Sequence, residues 1–477
     1  FIIGTIIVIK NRKFQHLFLL IISYFFFYYS SNYLIVLLIF STLLDFYIGK
    51  EIWNTKDKTR KKLLLIISLA GNLGLLGFFK YADFAILQFN ILGNYFDFKT
   101  NLPFLNLVLP LGISFYTFQT ISYTLDIYRG KLTPSKSLKE FALFVTFFPQ
   151  LFAGPIVRAK DFLPQLREKL DGIESISKLR QIRIESSTLK FGITLMAFGF
   201  FKKIFFADNI APMVDLVFNN PVGLESFTVI LGTIGFGVQL YCDFSGYSDI
   251  AIGAALILGF KIPKNFNKPF FANSPSDFWR KWHISLSGWI RDYFFIPIVA
   301  RKIGSDFRLI FAIMATFLLL GLWHGAGWNF IIFGFIHGIY IMLDSIIRKK
   351  VPSLEKNSFF KSTHGKIISI LVTQYLIFFA LIAFRVPDIE SMLYSMEKFV
   401  VWDFSLINTL DFIKINKFPL MLILMFFVLH FISYKKSNLH EIVANMKLPF
   451  WFIFLLSIFV LIVFFYNGSP NFLYFQF

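Results

Sequence analysis

The feature that most constrains this chain is its succession of long apolar runs, among them 17–48, 63–95, 308–322 and 366–384, separated by connections that gather Lys and Arg. Such runs are too apolar for the surface of a soluble domain. A helix needs about 20 apolar residues to cross a bilayer, and within the hydrocarbon it satisfies its own backbone hydrogen bonds. The expected fold is therefore an all-α polytopic membrane protein. Roughly 11–13 transmembrane or re-entrant helices are expected, the shorter runs being re-entrant, tilted or buried among other helices. Only 16% of the residues are charged and the mean hydropathy is +0.65, whereas soluble domains carry about a quarter charged residues.

The formal net charge of +19 does not point to nucleic acid, and no stretch resembles a nucleic-acid module. The basic residues fall in hydrophilic connections such as Asn11-Arg12-Lys13, Lys56 to Lys62 and Arg158 to Lys190, as expected from the positive-inside bias and attraction to anionic lipid headgroups. Residues 17–48 read as two short helices in a hairpin broken at Ser30-Ser31-Asn32, with both flanking basic segments on the cytoplasmic face. For 157–190, which mixes Arg158, Arg167 and Arg183 with Ile173, Ile176 and Ile182, amphipathic interfacial helices and a solvated connector are both open readings. One cysteine, Cys242, excludes an intrachain disulfide. The sequence opens at Phe1 within an apolar run, so a signal segment is not readable.

One hydrophilic block, Lys261 to Arg291, differs from the other connections. It holds Trp279, Trp282, Trp289 and His283 among paired charges, a density that a plain linker does not require. Pro263, Pro269 and Pro275 break its first part into turns, after which a helix is expected with Ser276 as N-cap. Arg280, Arg291, Lys281, Lys264 and Lys268 are candidates to grip a phosphorylated donor, because guanidinium and ammonium groups hold phosphates well. Positive-inside charge alone also accounts for the lysines.

His324 lies in Gly321-Leu322-Trp323-His324-Gly325-Ala326-Gly327-Trp328, between two apolar runs. An ionisable side chain is expensive there and functional by default. A desolvated imidazole stays neutral and can take a proton from a hydroxyl. For acyl transfer, His324 is thus a candidate general base, with His283 as a possible neighbour and with Trp323, Asn329 or the backbone N–H groups of Gly325 and Gly327 as candidate oxyanion donors. The opposing reading is packing, since Gly321-x-x-x-Gly325 and Gly334-x-x-x-Gly338 let helices approach closely. His337 falls on a different face if helix persists from His324, and His16, His364, His430 and His440 read as interfacial. Asp243 and Asp249 either orient a histidine, pair with a basic residue or stabilise a broken helix. Gly232, Gly235 and Gly237 lack the setting of a dinucleotide loop and read as helix packing. No Cys or His spacing supports a metal centre.

Several ordered motifs resemble the membrane-bound O-acyltransferase family, most closely its bacterial alginate O-acetyltransferase branch. They are Pro110-Leu111-Gly112-Ile113-Ser114-Phe115-Tyr116-Thr117-Phe118-Gln119, Phe148-Pro149-Gln150-Leu151-Phe152-Ala153-Gly154-Pro155-Ile156, Asp243 to Asp249, Phe278 to His283, and Leu322-Trp323-His324-Gly325. The resemblance implies a single membrane domain over 1–477, with N-terminal helices in 1–109 and the motif-bearing region in 110–477. It also implies a central tunnel, a catalytic histidine at His324 and a partner histidine at His283. The implied donor is cytoplasmic acetyl-CoA, with no bound cofactor, and the implied acceptor is an extracytoplasmic polysaccharide reached from the bacterial cytoplasmic membrane. Delivery is direct or through an accessory SGNH-type acetyltransferase, or within a polysaccharide export complex.

The tail Phe472-Leu473-Tyr474-Phe475-Gln476-Phe477 resembles the ending of the same branch, and also the aromatic tail of a small partner protein in teichoic acid D-alanylation. Tyr474 is expected either to offer its hydroxyl as acceptor or relay, or to sit as an aromatic belt residue. D-alanyl transfer to teichoic acid, a transporter with coupled intramembrane Asp and His, and a non-enzymatic export subunit are the competing functions.

Overall fold

The computed structural model describes residues 2–97, 101–170, 173–300, 306–352, 358–436, 438–468 and 472–473. The chain forms two compact units, Phe1–Ile193 with Ala251–Pro263, and Thr194–Ile250 with Lys264–Phe477. Among the described residues, 7 stretches are long and apolar enough to cross a membrane: Arg12–Asn54, Lys58–Tyr95, Ser226–Ile257, Asp306–His324, Trp328–Lys350, Thr363–Arg385 and Lys417–Lys435. The protein is all-α and polytopic. The larger number expected from sequence also counted shorter apolar runs, which form helices such as Leu448–Phe464 of 17 residues.

In the first unit, Asn11 caps the helix Arg12–Ser31 by accepting from the N–H groups of Lys13 and Phe14. A 3-10 turn at Asn32–Leu34 then leads into Ile35–Asn54. The long helix Lys58–Tyr95 and the buried helix Ile113–Tyr128 pack on the latter, and their polar side chains satisfy one another. Ser68 Oγ donates to Asp45 Oδ1 at 2.6 Å, Asn72 Nδ2 to Asp45 Oδ2 at 2.8 Å, and Thr120 Oγ1 to Asn72 Oδ1 at 3.3 Å. In hydrocarbon such groups have no water to turn to, so they pair with each other.

Two expectations fail in this unit. Residues 167–179 are not an amphipathic helix but an antiparallel pair, Arg167–Leu170 with Ile173–Leu179. Ile173 and Ile176, being β-branched, favour strand over helix. His16 is buried rather than interfacial, one ring nitrogen lying 2.9 Å from the carbonyl of Arg180. Beside it Gln15 donates to the Ile182 carbonyl at 3.1 Å and accepts from the Ile182 N–H at 3.0 Å.

The second unit is built around the part of the mostly buried helix Ser226–Ile257 that runs to Ile250 and the helix pair Asp306–His324 and Trp328–Lys350. That pair meets at Gly321 and Gly334. A Cβ on Gly321 would lie 2.2 Å from the Phe330 carbonyl oxygen, and one on Gly334 would lie 2.3 Å from that of Phe317. Backbone cannot yield as a side-chain tip can. Gly334→Leu is therefore expected to force the pair apart at a loss of about 1–3 kcal/mol or more, read as a lower melting temperature in detergent. The packing reading of Gly232, Gly235 and Gly237 also fits, since their Cβ positions point into Val217, Met213 and Phe378.

His430 is buried, not interfacial. It stacks on Phe271 at 5.4 Å and Phe426 at 5.1 Å and meets Tyr241 edge-on at 5.2 Å. Flanking lysines suggested the interface, but its helix presents that face to aromatics. His364 is exposed and His440 half-buried.

Candidate active site

From Lys264 onward the block that ends at Arg291 folds back on itself in the second unit. Its helix runs Pro275–Lys281, capped by Ser274, whose hydroxyl accepts from the Asp277 N–H. The cap is thus two residues earlier than the expected Ser276, because Pro275 suits the first helical position, where no N–H is needed. The Asn267 N–H then donates to the Lys281 carbonyl at 2.9 Å and the Ile284 N–H to the Asn265 carbonyl at 2.9 Å.

This pairing closes on His283, which is fully buried and has φ of +42°. A buried non-glycine residue in the left-handed region costs on the order of 1–3 kcal/mol and persists only where its surroundings enforce it. Asn265 is the main enforcer: its Oδ1 lies 3.1 Å from His283 Nδ1 and accepts from the Ser285 N–H at 3.3 Å and the Ser285 hydroxyl at 2.9 Å. A backbone N–H can only donate, so the Asn265 atom is the oxygen, and His283 Nδ1 carries the proton. Nε2 then holds the lone pair. Burial keeps this imidazole neutral, its pKa pushed down to about 3.

His324 is the last residue of Asp306–His324 and is buried. The helix stops there and resumes at Trp328. Its ring packs against Phe384 at 5.1 Å and Phe333 at 6.0 Å. It lines a narrow cavity of about 20 Å³ with Leu240, Phe244, Phe278, Trp279, Trp282, Phe333, His337, Ile377, Leu381 and Phe384, room for about one water. The indole of Trp323 contacts both histidines, 5.8 Å from the His283 ring and 5.1 Å from that of His324. Phe244, a cavity residue, meets His283 edge-on at 4.6 Å.

His337 belongs to this cavity, contrary to the face argument from sequence. The helix does not continue past His324: the chain reverses through Gly325–Gly327 and returns His337 on the partner helix. Trp279 Nε1 donates to His337 Nδ1 at 3.2 Å. Indole is donor only, so the His337 proton sits on Nε2.

The other candidates separate into distinct places. Asn329 is buried, with Nδ2 donating to the Ala383 carbonyl at 3.2 Å. Arg280 and Arg291 have side chains 67% and 64% exposed and pair locally with Asp277 and Asp292. Lys281 pairs with Asp277 at 2.7 Å, Lys264 is exposed and Lys268 is half-buried. Tyr474 lies outside the described residues.

Asp243 and Asp249 sit on Ser226–Ile257 and are both ion-paired. Lys203 Nζ lies 2.7 Å from both Asp243 and Asp208, and Lys202 Nζ lies 2.7 Å from Asp249. The two lysines are on the π-helical turn Phe201–Ala207, and the backbones approach at Gly199 and Gly246 so closely that a Cβ on either would lie within 2.7 Å of the other's carbonyl oxygen. The lysines were not singled out from sequence, although Lys202-Lys203 inside an apolar run was the available signal. Asn265 was missed as well, since nothing in Lys264-Asn265-Phe266-Asn267 marks one asparagine as a histidine partner.

The family model described as MBOAT, membrane-bound O-acyltransferase family, matches residues 131–384. That span includes both histidines and the cavity. The peptidoglycan O-acetyltransferase of Helicobacter pylori is 33% identical over 408 residues, 80% of this chain and 73% of the relative. The probable alginate O-acetylase of Pseudomonas aeruginosa is 35% identical over 77% of this chain and 66% of its own length, and the teichoic acid D-alanyltransferase of Bacillus subtilis is 32% identical over 51% and 61%. With a buried histidine at a helix break in a polytopic helical fold, and with a relative matched over most of its length, the chain belongs to the membrane-bound O-acyltransferase family.

Proposed function

We propose that this protein moves an acetyl group from a cytoplasmic thioester donor, acetyl-CoA, across the bacterial cytoplasmic membrane to hydroxyls of an extracytoplasmic polysaccharide. The observation that carries this reading is His324, buried at the break between two helices and facing an aromatic cavity. Its neutral ring takes the proton as an acceptor hydroxyl attacks the thioester carbonyl. The tetrahedral intermediate then expels the thiolate, which recovers the proton from the imidazolium, leaving ester and thiol. The main-chain N–H of Gly327 is the oxyanion donor in this reading, since that of Gly325 donates to the Gly321 carbonyl at 3.4 Å, while Asn329 braces the break through Ala383.

His283 is the second basic group, held with its Nε2 lone pair presented by Asn265. Asn265→Ala, which removes the partner of His283 Nδ1 and of both Ser285 donors, is expected to reduce ester formation per unit of membrane protein at least about tenfold. Arg280 and Arg291, being exposed, hold the donor's phosphates at the cytoplasmic face. Tyr474 acts as acceptor or relay, passing the acyl group to the polysaccharide directly or through an accessory SGNH-type acetyltransferase or export complex.

The reading draws on the relatives, two of them named as O-acetylating enzymes and one as a D-alanylating enzyme. Mass spectrometry of surface glycans from a deletion strain and its complemented counterpart tests it. Loss of acetyl ester on deletion supports the reading. Loss of D-alanyl ester with acetyl ester intact replaces it with teichoic acid modification.

A further inference from the structure

Two described residues near the C-terminus, Phe472 and Leu473, sit within the charged cluster of the second unit. The Leu473 N–H donates to Asp243 Oδ2 at 3.1 Å, and the Leu473 side chain is buried. The Phe472 ring meets Tyr247 edge-on at 4.9 Å and lies 4.7 Å from Lys203 Nζ. The other oxygen of Asp243 is held by Lys203 at 2.7 Å, so one carboxylate bridges a buried ammonium and the main chain of the tail.

The charge count explains why a main-chain donor is accepted there. Among the described residues, the Lys203 ammonium lies 2.7 Å from each of two carboxylates, Asp208 and Asp243. Asp208 Oδ2 has no hydrogen-bond partner among the described residues. Buried carboxylate oxygens need donors, and an N–H directed at an ionised carboxylate forms one of the stronger hydrogen bonds. Because the donor is backbone, seating fixes the path of the chain at residue 473 whatever side chain stands there.

We propose that Asp243 is the positioning residue for the C-terminal segment: with Lys203 behind it, its carboxylate seats the main chain at Leu473 and thereby sets where the following residues are delivered. The functional consequence rests on the acyl-relay reading of the tail given above; the seating itself does not.

The test uses the full-length chain with Cys242→Ala, which removes the buried native thiol, and Leu473→Cys, which keeps the N–H while placing a thiol in the seat. Maleimide labelling of that thiol is followed in membranes. Labelling is expected to be slow in this parent and about 10- to 100-fold faster with Asp243→Ala, the range for loss of a hydrogen bond to a charged group. Asp249→Asn, which breaks the neighbouring Lys202 pair on the same helix, is expected to leave the rate unchanged. Asp243→Asn keeps the shape and removes the charge; it serves if the alanine variant does not accumulate, and an accelerated rate is again expected. Equal labelling in the parent and the Asp243 variants overturns the proposal, as does equal acceleration by Asp249→Asn. Since labelling reads seating alone, acetyl ester measured on the same strains separates the outcomes: faster labelling with normal ester retains the seat and removes the relay.

Discussion

His324→Ala is expected to abolish ester formation on the surface glycan while the protein reaches the membrane in normal amount. Positioned general bases contribute about 10²- to 10⁴-fold, and His324 is buried against Trp323, Phe333 and Phe384, where no water-borne base replaces it readily. Loss of packing alone predicts a different pattern. A purely structural His324 would lower protein amount and melting temperature in step with ester, whereas a base loses ester at constant protein. His324→Gln, closer in volume, sharpens the contrast, because it preserves most packing and cannot accept and return a proton. Ester levels for both variants, normalised to membrane protein, read the result directly.

Lys203→Ala is expected to be the most destabilising single change outside the cavity. Its ammonium is the partner of both Asp208 and Asp243, and side-chain exposure is 7% for the lysine and 2% for each carboxylate. Removing one member of a buried ion pair costs about 3–5 kcal/mol because the remaining charge is left uncompensated. Here two carboxylates are left facing each other. The expected outcome is little folded protein in the membrane, with partial recovery when Asp208→Asn is added, since that removes one of the stranded charges. By contrast, Arg280→Ala breaks an exposed pair at 3.6 Å and is expected to change stability by no more than about 1 kcal/mol. Fluorescence size-exclusion yield and melting temperature distinguish the two cases.

The helical membrane fold was legible because runs such as 63–95 and 366–384 admit few alternatives in a bilayer. The order of motifs from Pro110 onward was enough to identify the family, which the match over 131–384 establishes. Other features were hidden for identifiable reasons. His337 was set aside because a helical wheel cannot show that the chain reverses and brings a residue thirteen positions on back to the same cavity. Lys202 and Lys203 stand inside an apolar run, and only the tertiary packing reveals which carboxylates they meet. The Arg167–Leu179 hairpin was misread because a mixture of isoleucines and basic residues satisfies helical and strand periods about equally over so short a stretch. Asn265 acts through a tertiary contact eighteen residues from His283, which no local pattern encodes.

The most direct measurement is transfer of label from acetyl-CoA in sealed inside-out membrane vesicles that contain the acceptor glycan, comparing the wild-type chain with His324→Gln at equal protein. The account predicts that the wild type places labelled acetyl ester on the enclosed glycan and that His324→Gln does so at least about 100-fold more slowly. Equal labelling by the two proteins, or no labelling by a correctly folded wild type, would contradict it.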